Sequence, residues 1–136
     1  MGPFQDIRGD EVERIVNVNA LHVIYMAKTL LPQMLKRHAD SKTKSAMIIT
    51  SSGLGARPIS GTLAYSAAKS FSSFIGEALS FECKGKIDVM SYQAGEVATK
   101  LLKKTKTDMR TITPEMASKC CLRDLGYQAM SRGSGR

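Results

Sequence analysis

The sequence predicts an α/β fold built on a parallel sheet, and three observations carry the prediction. The apolar run Ala46-Met-Ile-Ile-Thr50 and the segment Lys86-Ile-Asp-Val-Met-Ser-Tyr-Gln93 read as strands near 45–51 and 86–93. Between them, Thr62 to about Glu82 is apolar over a wide arc at helical spacing: Ala64, Ala68, Phe71, Phe74, Ile75, Ala78 and Leu79. A second amphipathic helix pattern precedes the first strand. Strand, helix, strand in that order is the repeat of a parallel sheet, because parallel neighbours need a crossover between them.

The elements follow in chain order. Asp10-Glu11 opens a long helix, with acidic side chains at its positive end. Val12, Val16, Val23, Met26, Leu30 and Met34 give it an apolar stripe, and Pro32 is expected to kink it or start its last turn. His38-Ala-Asp-Ser-Lys-Thr-Lys44 reads as a polar loop, and the first strand follows. Gly53 to Gly61 is an irregular loop. The next helix carries Ser66, Ala67, Ala68, Ser70, Ser72 and Ser73, small residues that permit close packing. After the second strand, Lys100 to Thr113 reads as a mobile segment. Thr113-Pro-Glu starts a further helix, with a capping hydroxyl, proline in its first turn and an acidic residue behind it; it is expected to end near Gly126. Residues 128–136 read as a polar tail.

The chemistry concentrates in Tyr65-Ser-Ala-Ala-Lys69, with Ser52 thirteen residues before the tyrosine. Residues four apart share a helix face, roughly 6 Å apart along the axis. An ammonium beside a phenol favours the phenolate, and so draws an ordinary pKa near 10 toward the range of a general acid/base. Taken alone, such a pair reads as a half-buried tyrosine beside a solvated lysine. Its context argues for more: Ser52 ends the first apolar run, and ligands of open α/β sheets bind at the carboxyl ends of the strands. There a hydroxyl can hold a substrate oxygen.

With these residues the chain resembles the short-chain dehydrogenase/reductases, nearest the branch of 17-beta-hydroxysteroid dehydrogenases and very-long-chain 3-oxoacyl-CoA reductases. Ile15-Val-Asn-Val-Asn-Ala20, Leu30-Leu-Pro-Gln-Met34, Ile49-Thr-Ser-Ser-Gly53, Tyr65-Ser-Ala-Ala-Lys69 and Ala94-Gly-Glu-Val-Ala-Thr-Lys100 occur in the family's order and spacing. The resemblance covers most of the chain, which is expected to be domain 1–127. It implies Tyr65 as acid/base and Lys69 as its modulator and ligand of the nicotinamide ribose. It implies Ser52 as the group orienting the carbonyl, and Asn19, rather than its neighbour Asn17, as the asparagine of the proton relay. Gly95, Val97 and Thr99 match the stretch that contacts the nicotinamide carboxamide. The implied cofactor is NADP(H) or NAD(H), with no metal, and the implied substrate a small steroid or 3-oxoacyl lipid. The helix carrying Tyr65 is often a subunit interface in this family, which implies homodimerisation through the long helices. The branch also implies association with the endoplasmic reticulum membrane, a cytoplasmic location being the alternative.

Two departures stand out. Ala94-Gly95 replaces the family's Pro-Gly, which loosens a turn without removing a catalytic group. More seriously, the Gly-rich turn that sets backbone N–H groups against a pyrophosphate is absent, as is the family's Asn-Asn-Ala-Gly segment. The family's last strand, expected after the helix ending near Gly126, is not visible either. The expected architecture is therefore a partial Rossmann-like, doubly wound parallel sheet that lacks the amino-terminal Gly-rich half. The resemblance implies an NAD(P)-dependent oxidoreductase acting on an alcohol or ketone; the missing turn raises the alternative of an inactive fragment, or an interaction module that associates with an intact homologue.

Composition narrows the field. At 136 residues and 43% hydrophobic content the chain makes one ordinary globular domain at most. Two strands are too few for a stable parallel sheet, so marginal stability or association is expected. The net charge is +8, and residues 100–136 hold nine Lys/Arg against Asp108, Glu115 and Asp124. The dense stretch Lys100 to Lys106 has no aromatic interleaving and no nucleic-acid fold around it, so no nucleic-acid partner is expected; a solvated loop fits better, with an acyl-CoA contact as the functional reading. Cys83, Cys120 and Cys121 suit a reducing compartment, and neither they nor the isolated His22 and His38 have metal-site spacing. There is no run of 18 apolar residues, hence no transmembrane span, and Met1-Gly-Pro-Phe-Gln-Asp has neither the basic start nor the apolar core of a signal peptide.

Overall fold

The computed structural model describes residues 2–100, 107 and 111–133. Helix α1 (Gly9–Val16) passes through a π-helical segment (Asn17–Leu21) into α2 (His22–Ser41), which leads to strand β1 (Ser45–Ser52). A 3-10 turn (Gly53–Ala56) precedes α3 (Leu63–Glu82), which returns to β2 (Ile87–Ala94). Two short strands, β3 (Glu96–Val97) and β4 (Thr111–Ile112), pair in parallel. Helix α4 (Pro114–Asp124) and strand β5 (Met130–Ser131) complete the described elements.

The main sheet runs β1-β2-β5, parallel throughout. Its first pair is in register from Ser45 opposite Ile87 to Ser52 opposite Ala94. On one face Met47, Ile87 and Val89 pack with Cys83 and with Leu31, Met34 and Leu79 from α2 and α3. On the other, Met90 and Tyr92 meet Cys121 and Leu125 beside α4, and the Tyr92 hydroxyl donates to the Ala117 carbonyl at 3.3 Å. Burial pushes the Tyr92 phenol up, reinforced by the cysteines and Asp124 nearby, so this tyrosine is a core residue. Cys83, Cys120 and Cys121 are free and buried.

The α/β class and parallel sheet are those expected; four details differ. The helix runs through Pro32 to Ser41, so the loop before β1 is shorter than the polarity of residues 38–44 suggested. The residues buried in its second half are Val23 and Ala27, with Leu31 and Met34 on the core, whereas Met26 and Leu30 are exposed. Val23 and Met34 keep their expected places, but from Val23 the covered positions step by four, so Ala27 and Leu31 take the core side in place of Met26 and Leu30. On α3 the buried positions are Ala64, Ser66, Ala68, Ser72, Ser73 and Gly76, while Phe74 is 71% exposed. The small residues let the helix lie close on the sheet: a Cβ at Gly76 would sit 2.9 Å from Ser91 Cβ. Finally, the stretch read as a polar tail enters the sheet. Ser131 is buried, and its hydroxyl donates to Asp124 at 2.6 Å, which ties β5 to the end of α4. Two residues of pairing are too short to show as a strand pattern. The expected mobile segment and the Lys100–Lys106 run lie mostly outside the described residues.

Candidate active site

Strand β1 delivers Ser52 at its carboxyl end, as expected. The Ser52 hydroxyl accepts the Leu54 N–H at 3.2 Å, capping the 3-10 turn and leaving its own proton to give. Thr62, at the N-cap of α3, bonds through its hydroxyl to Ile59 and Ser66, and so fixes where the helix starts. Tyr65 and Lys69 follow on one face. The Lys69 ammonium stands 5.8 Å from the Tyr65 ring centroid and donates to the Thr50 carbonyl at 3.2 Å. It therefore bridges the helix to the strand two residues before Ser52. Partial burial pulls the Lys69 amine below the ordinary lysine value. Among the described residues no carboxylate pairs with it, and the half-buried Tyr65 hydroxyl makes no hydrogen bond.

Asn19 lies in the π segment. Its carboxamide donates to the Ile15 carbonyl at 3.0 Å, within its own helix. Its tie to α3 is through the backbone: the Asn19 carbonyl accepts the Ser72 hydroxyl at 2.5 Å. The Ala68 carbonyl lies 3.1 Å from the same hydroxyl, whose single proton serves one acceptor at a time. Asn17 is exposed in the same segment. Gly95 follows β2 directly, Val97 is in β3, and Thr99 lies just beyond, so the three stand past the carboxyl end of the strand beside β1. Pairing of β3 with β4 holds this stretch, with Thr111 Oγ1 3.1 Å from Glu96 Oε2.

Sequence reasoning missed a buried polar group behind this site. Ser51, Ser73 and Gln93 are each at most 6% exposed. Ser73 Oγ donates to Ser51 Oγ at 2.7 Å, Ser51 Oγ to the Lys69 carbonyl at 2.7 Å, and Gln93 Nε2 to Ser73 Oγ at 3.2 Å. A glutamine near the end of a mostly covered strand is the signal that could have found it.

The residues present fit one end of a nicotinamide dinucleotide. Tyr65, Lys69, Gly95, Val97 and Thr99 gather at the carboxyl ends of β1 and β2, where a nicotinamide and its ribose would be held. The pyrophosphate end has no matching cradle among the described residues. Gly53-Leu-Gly55 is the glycine pair that follows a main-sheet strand, but Gly55 is consumed by packing. A Cβ there would lie 2.7 Å from the Lys69 carbonyl carbon, so the α3 backbone fills that side of the glycine.

Comparison with known proteins gives the family and the fold. The family model described as short chain dehydrogenase matches residues 1–110. The very-long-chain 3-oxoacyl-CoA reductases of Macaca fascicularis and Homo sapiens are 34% and 32% identical over 123 residues, which is 90% of this chain and 38% of theirs. The chain thus spans about two-fifths of the length of these relatives. Among solved structures, 3-ketoacyl-(acyl-carrier-protein) reductase from Brucella melitensis, complexed with NADH, superposes with a TM-score of 0.80 at 24% identity. That match covers 96% of this chain and 57% of the other. A 4-hydroxyisoleucine dehydrogenase complexed with NADH gives a TM-score of 0.71 at 20% identity, covering 90% and 55%. At these identities the two structures establish the Rossmann-type fold.

Proposed function

Since the chain belongs to the short chain dehydrogenase family, we propose that it carries the proton-transfer half of an NAD(P)-dependent oxidoreductase site. The substrate is an alcohol or ketone, with a 3-oxoacyl lipid favoured over a steroid because the curated relatives are named for 3-oxoacyl-CoA reduction. The observation that carries the reading is the convergence of Ser52, Tyr65 and Lys69 at the carboxyl end of β1, where Lys69 is bonded to the strand that bears Ser52.

Each side chain has a role its geometry allows. Ser52 donates its remaining proton to the substrate oxygen and orients it. Tyr65, with its hydroxyl unengaged, gives or takes the proton on that oxygen. Lys69 holds positive charge against the phenol ring and offers donors toward a ribose. Asn19, fixed through its carbonyl, closes the helix wall behind them. A bound nicotinamide would supply or accept the hydride, with Gly95, Val97 and Thr99 beside its carboxamide; NADPH is favoured for a reductase, with NADH as the other donor. An endoplasmic reticulum membrane location follows the resemblance to the 3-oxoacyl-CoA reductases, with the cytoplasm as alternative; no helix among the described residues is long and apolar enough to cross a membrane.

The second reading is a non-catalytic module that associates with an intact homologue or with itself. It is favoured by the aromatic side chains outside the core, Tyr25 on α2 and Phe74 and Phe81 on α3 being 66% or more exposed. Turnover of a 3-oxoacyl-CoA with NADPH or NADH, followed by nicotinamide absorbance, separates the two. Activity that Tyr65→Phe abolishes at unchanged melting temperature supports the first. Activity retained by that variant overturns the acid/base role, and no turnover together with a concentration-dependent mass in sedimentation supports the second.

A further inference from the structure

Three buried side chains behind the site form a chain of hydrogen bonds with a single direction. Gln93 Nε2 donates to Ser73 Oγ, Ser73 donates to Ser51 Oγ, and Ser51 donates to the Lys69 carbonyl. Each hydroxyl proton is used once, and the buried Gln93 Oε1 has no partner among the described residues. Reversing the Gln93 amide would leave an acceptor facing Ser73, whose one proton would then have to abandon Ser51. The Lys69 carbonyl, in mid-helix, already accepts the N–H four residues on, so the Ser51 bond fills its second lone pair. Burying such groups is costly unless they are paired, and apolar side chains would fill the same space, so the chain calls for a purpose beyond packing.

We propose that Gln93, Ser73 and Ser51 are positioning residues that set the catalytic helix against the end of β1 and thereby place Lys69 relative to Ser52 and Tyr65. The three come from the segments that carry the proposed site. Ser51 precedes Ser52 on β1, Ser73 is one turn beyond Lys69 on α3, and Gln93 stands two residues before Gly95 at the end of β2. Gly55 and Ser70 grip the same turn from the other side. The Gly55 backbone lies flat on Lys69 and Ser70, and Ser70 Oγ donates to the Gly55 carbonyl at 2.5 Å. Held on both sides, the Lys69 main chain directs its amine to the Thr50 carbonyl, the residue next to Ser51. When the Ser51 bond is lost the helix is free to slide on the strand, and the amine leaves Thr50 for solvent. A hydrogen-bonded chain of this kind gains from mutual polarisation, so cutting it at Gln93 weakens the far link as well.

This inference rests on the reading of Lys69 as a site residue, but its test needs no turnover. The side-chain amine of Lys69 is followed by NMR in protein labelled at lysine, assigned by the peak lost in Lys69→Ala, and titrated with pH. Wild-type protein and Ser80→Ala serve as references; the Ser80 hydroxyl makes a bond of the same kind on the same helix, to Glu77 at 2.7 Å, outside the chain. In Ser73→Ala and Ser51→Ala the Lys69 midpoint is expected to rise by about half a unit or more toward the free-lysine value. In Ser80→Ala it stays where it is in the wild type. If Ser73→Ala fails to fold, Gln93→Leu, which cuts the outermost link, is read in its place and should move the midpoint the same way. A Lys69 titration identical in the Ser73 and Ser80 variants, with both melting early, would overturn the proposal and leave the bonds as packing alone.

Discussion

Gly55→Ala tests how tightly the catalytic helix is seated. The added Cβ would lie 2.7 Å from the Lys69 carbonyl carbon and 2.8 Å from the Ser70 nitrogen. Both are backbone atoms in mid-helix and cannot swing aside, so the turn must back away by about 0.7 Å to reach ordinary contact at 3.4 Å. Retreat also stretches the Ser70-to-Gly55 hydrogen bond. Overpacking of this kind costs about 1–3 kcal/mol and the lost bond about 1 more, so a destabilisation of about 2–4 kcal/mol is expected. For a chain of this size that lowers the midpoint of a melt followed by circular dichroism by on the order of 10 °C. Gly53→Ala is the internal reference. Its Cβ would meet only the Ala94 carbonyl at 3.8 Å, so its effect should stay within about 0.5 kcal/mol. Equal melting of the two variants would refute the close seating of the 3-10 turn on α3, and with it one side of the grip on Lys69.

Other outcomes follow from particular groups. Lys69 is partly desolvated, so its folded pKa lies below the unfolded value near 10.5; in the window between them the unfolded chain holds more protons and stability rises with pH. Wild type should therefore gain on Lys69→Met as pH climbs through that window, and a constant difference in melting temperature would contradict the burial. Asp124 is held below its ordinary range first by the Arg123 guanidinium at 2.7 Å and then by the Ser131 hydroxyl. Its contribution is present above about pH 3.9 and lost as pH falls toward the folded value, so the advantage of wild type over Asp124→Asn should shrink on acidification. Amide exchange at β5 should quicken in the same range. Lys42, which closes α2 in the left-handed region at φ 58°, should give about 0.5–1 kcal/mol of stability on replacement by glycine, read as a rise in urea midpoint.

Much of this was legible in the sequence, for reasons that differ by element. Strands β1 and β2 and helix α3 were readable because β-branched runs and a wide apolar arc are local signals. The start of α4 was readable because Thr113 and Pro114 are a cap whose chemistry is complete within three residues, and the Thr113 hydroxyl does accept the Met116 N–H. The family was readable because its motif residues keep a fixed spacing, and Lys69 does reach from the helix of Tyr65 to the strand of Ser52. What was not legible depends on tertiary contact. The π turn between α1 and α2 has no composition of its own. Phe74 counts as apolar in any window, yet it faces away from the sheet that α3 covers with serines and glycine. Strand β5 exists through one buried serine and a carboxylate seven residues earlier.

The polarity of α3 ties these points together. A helix that presented leucines to the sheet would ride farther from it, and the Ser51 hydroxyl could not reach the Lys69 carbonyl. With Ser73 and Gly76 on the sheet side and Ser72 toward the π segment, the helix comes close enough to be hydrogen-bonded to neighbouring elements: the Ser51 hydroxyl donates to the Lys69 carbonyl, and the Ser72 hydroxyl to the Asn19 carbonyl. The apolar area given up at this contact lowers the hydrophobic driving force, but the bonds fix angle and register where a greasy contact would allow sliding. Two of them, at Lys69 and at Ser72, fall within one turn of the helix, directly after Tyr65. The elements that would need to stay still during proton transfer are therefore the ones joined by directional bonds, while the larger apolar contacts of Ile87 and Val89 lie toward the opposite end of the sheet.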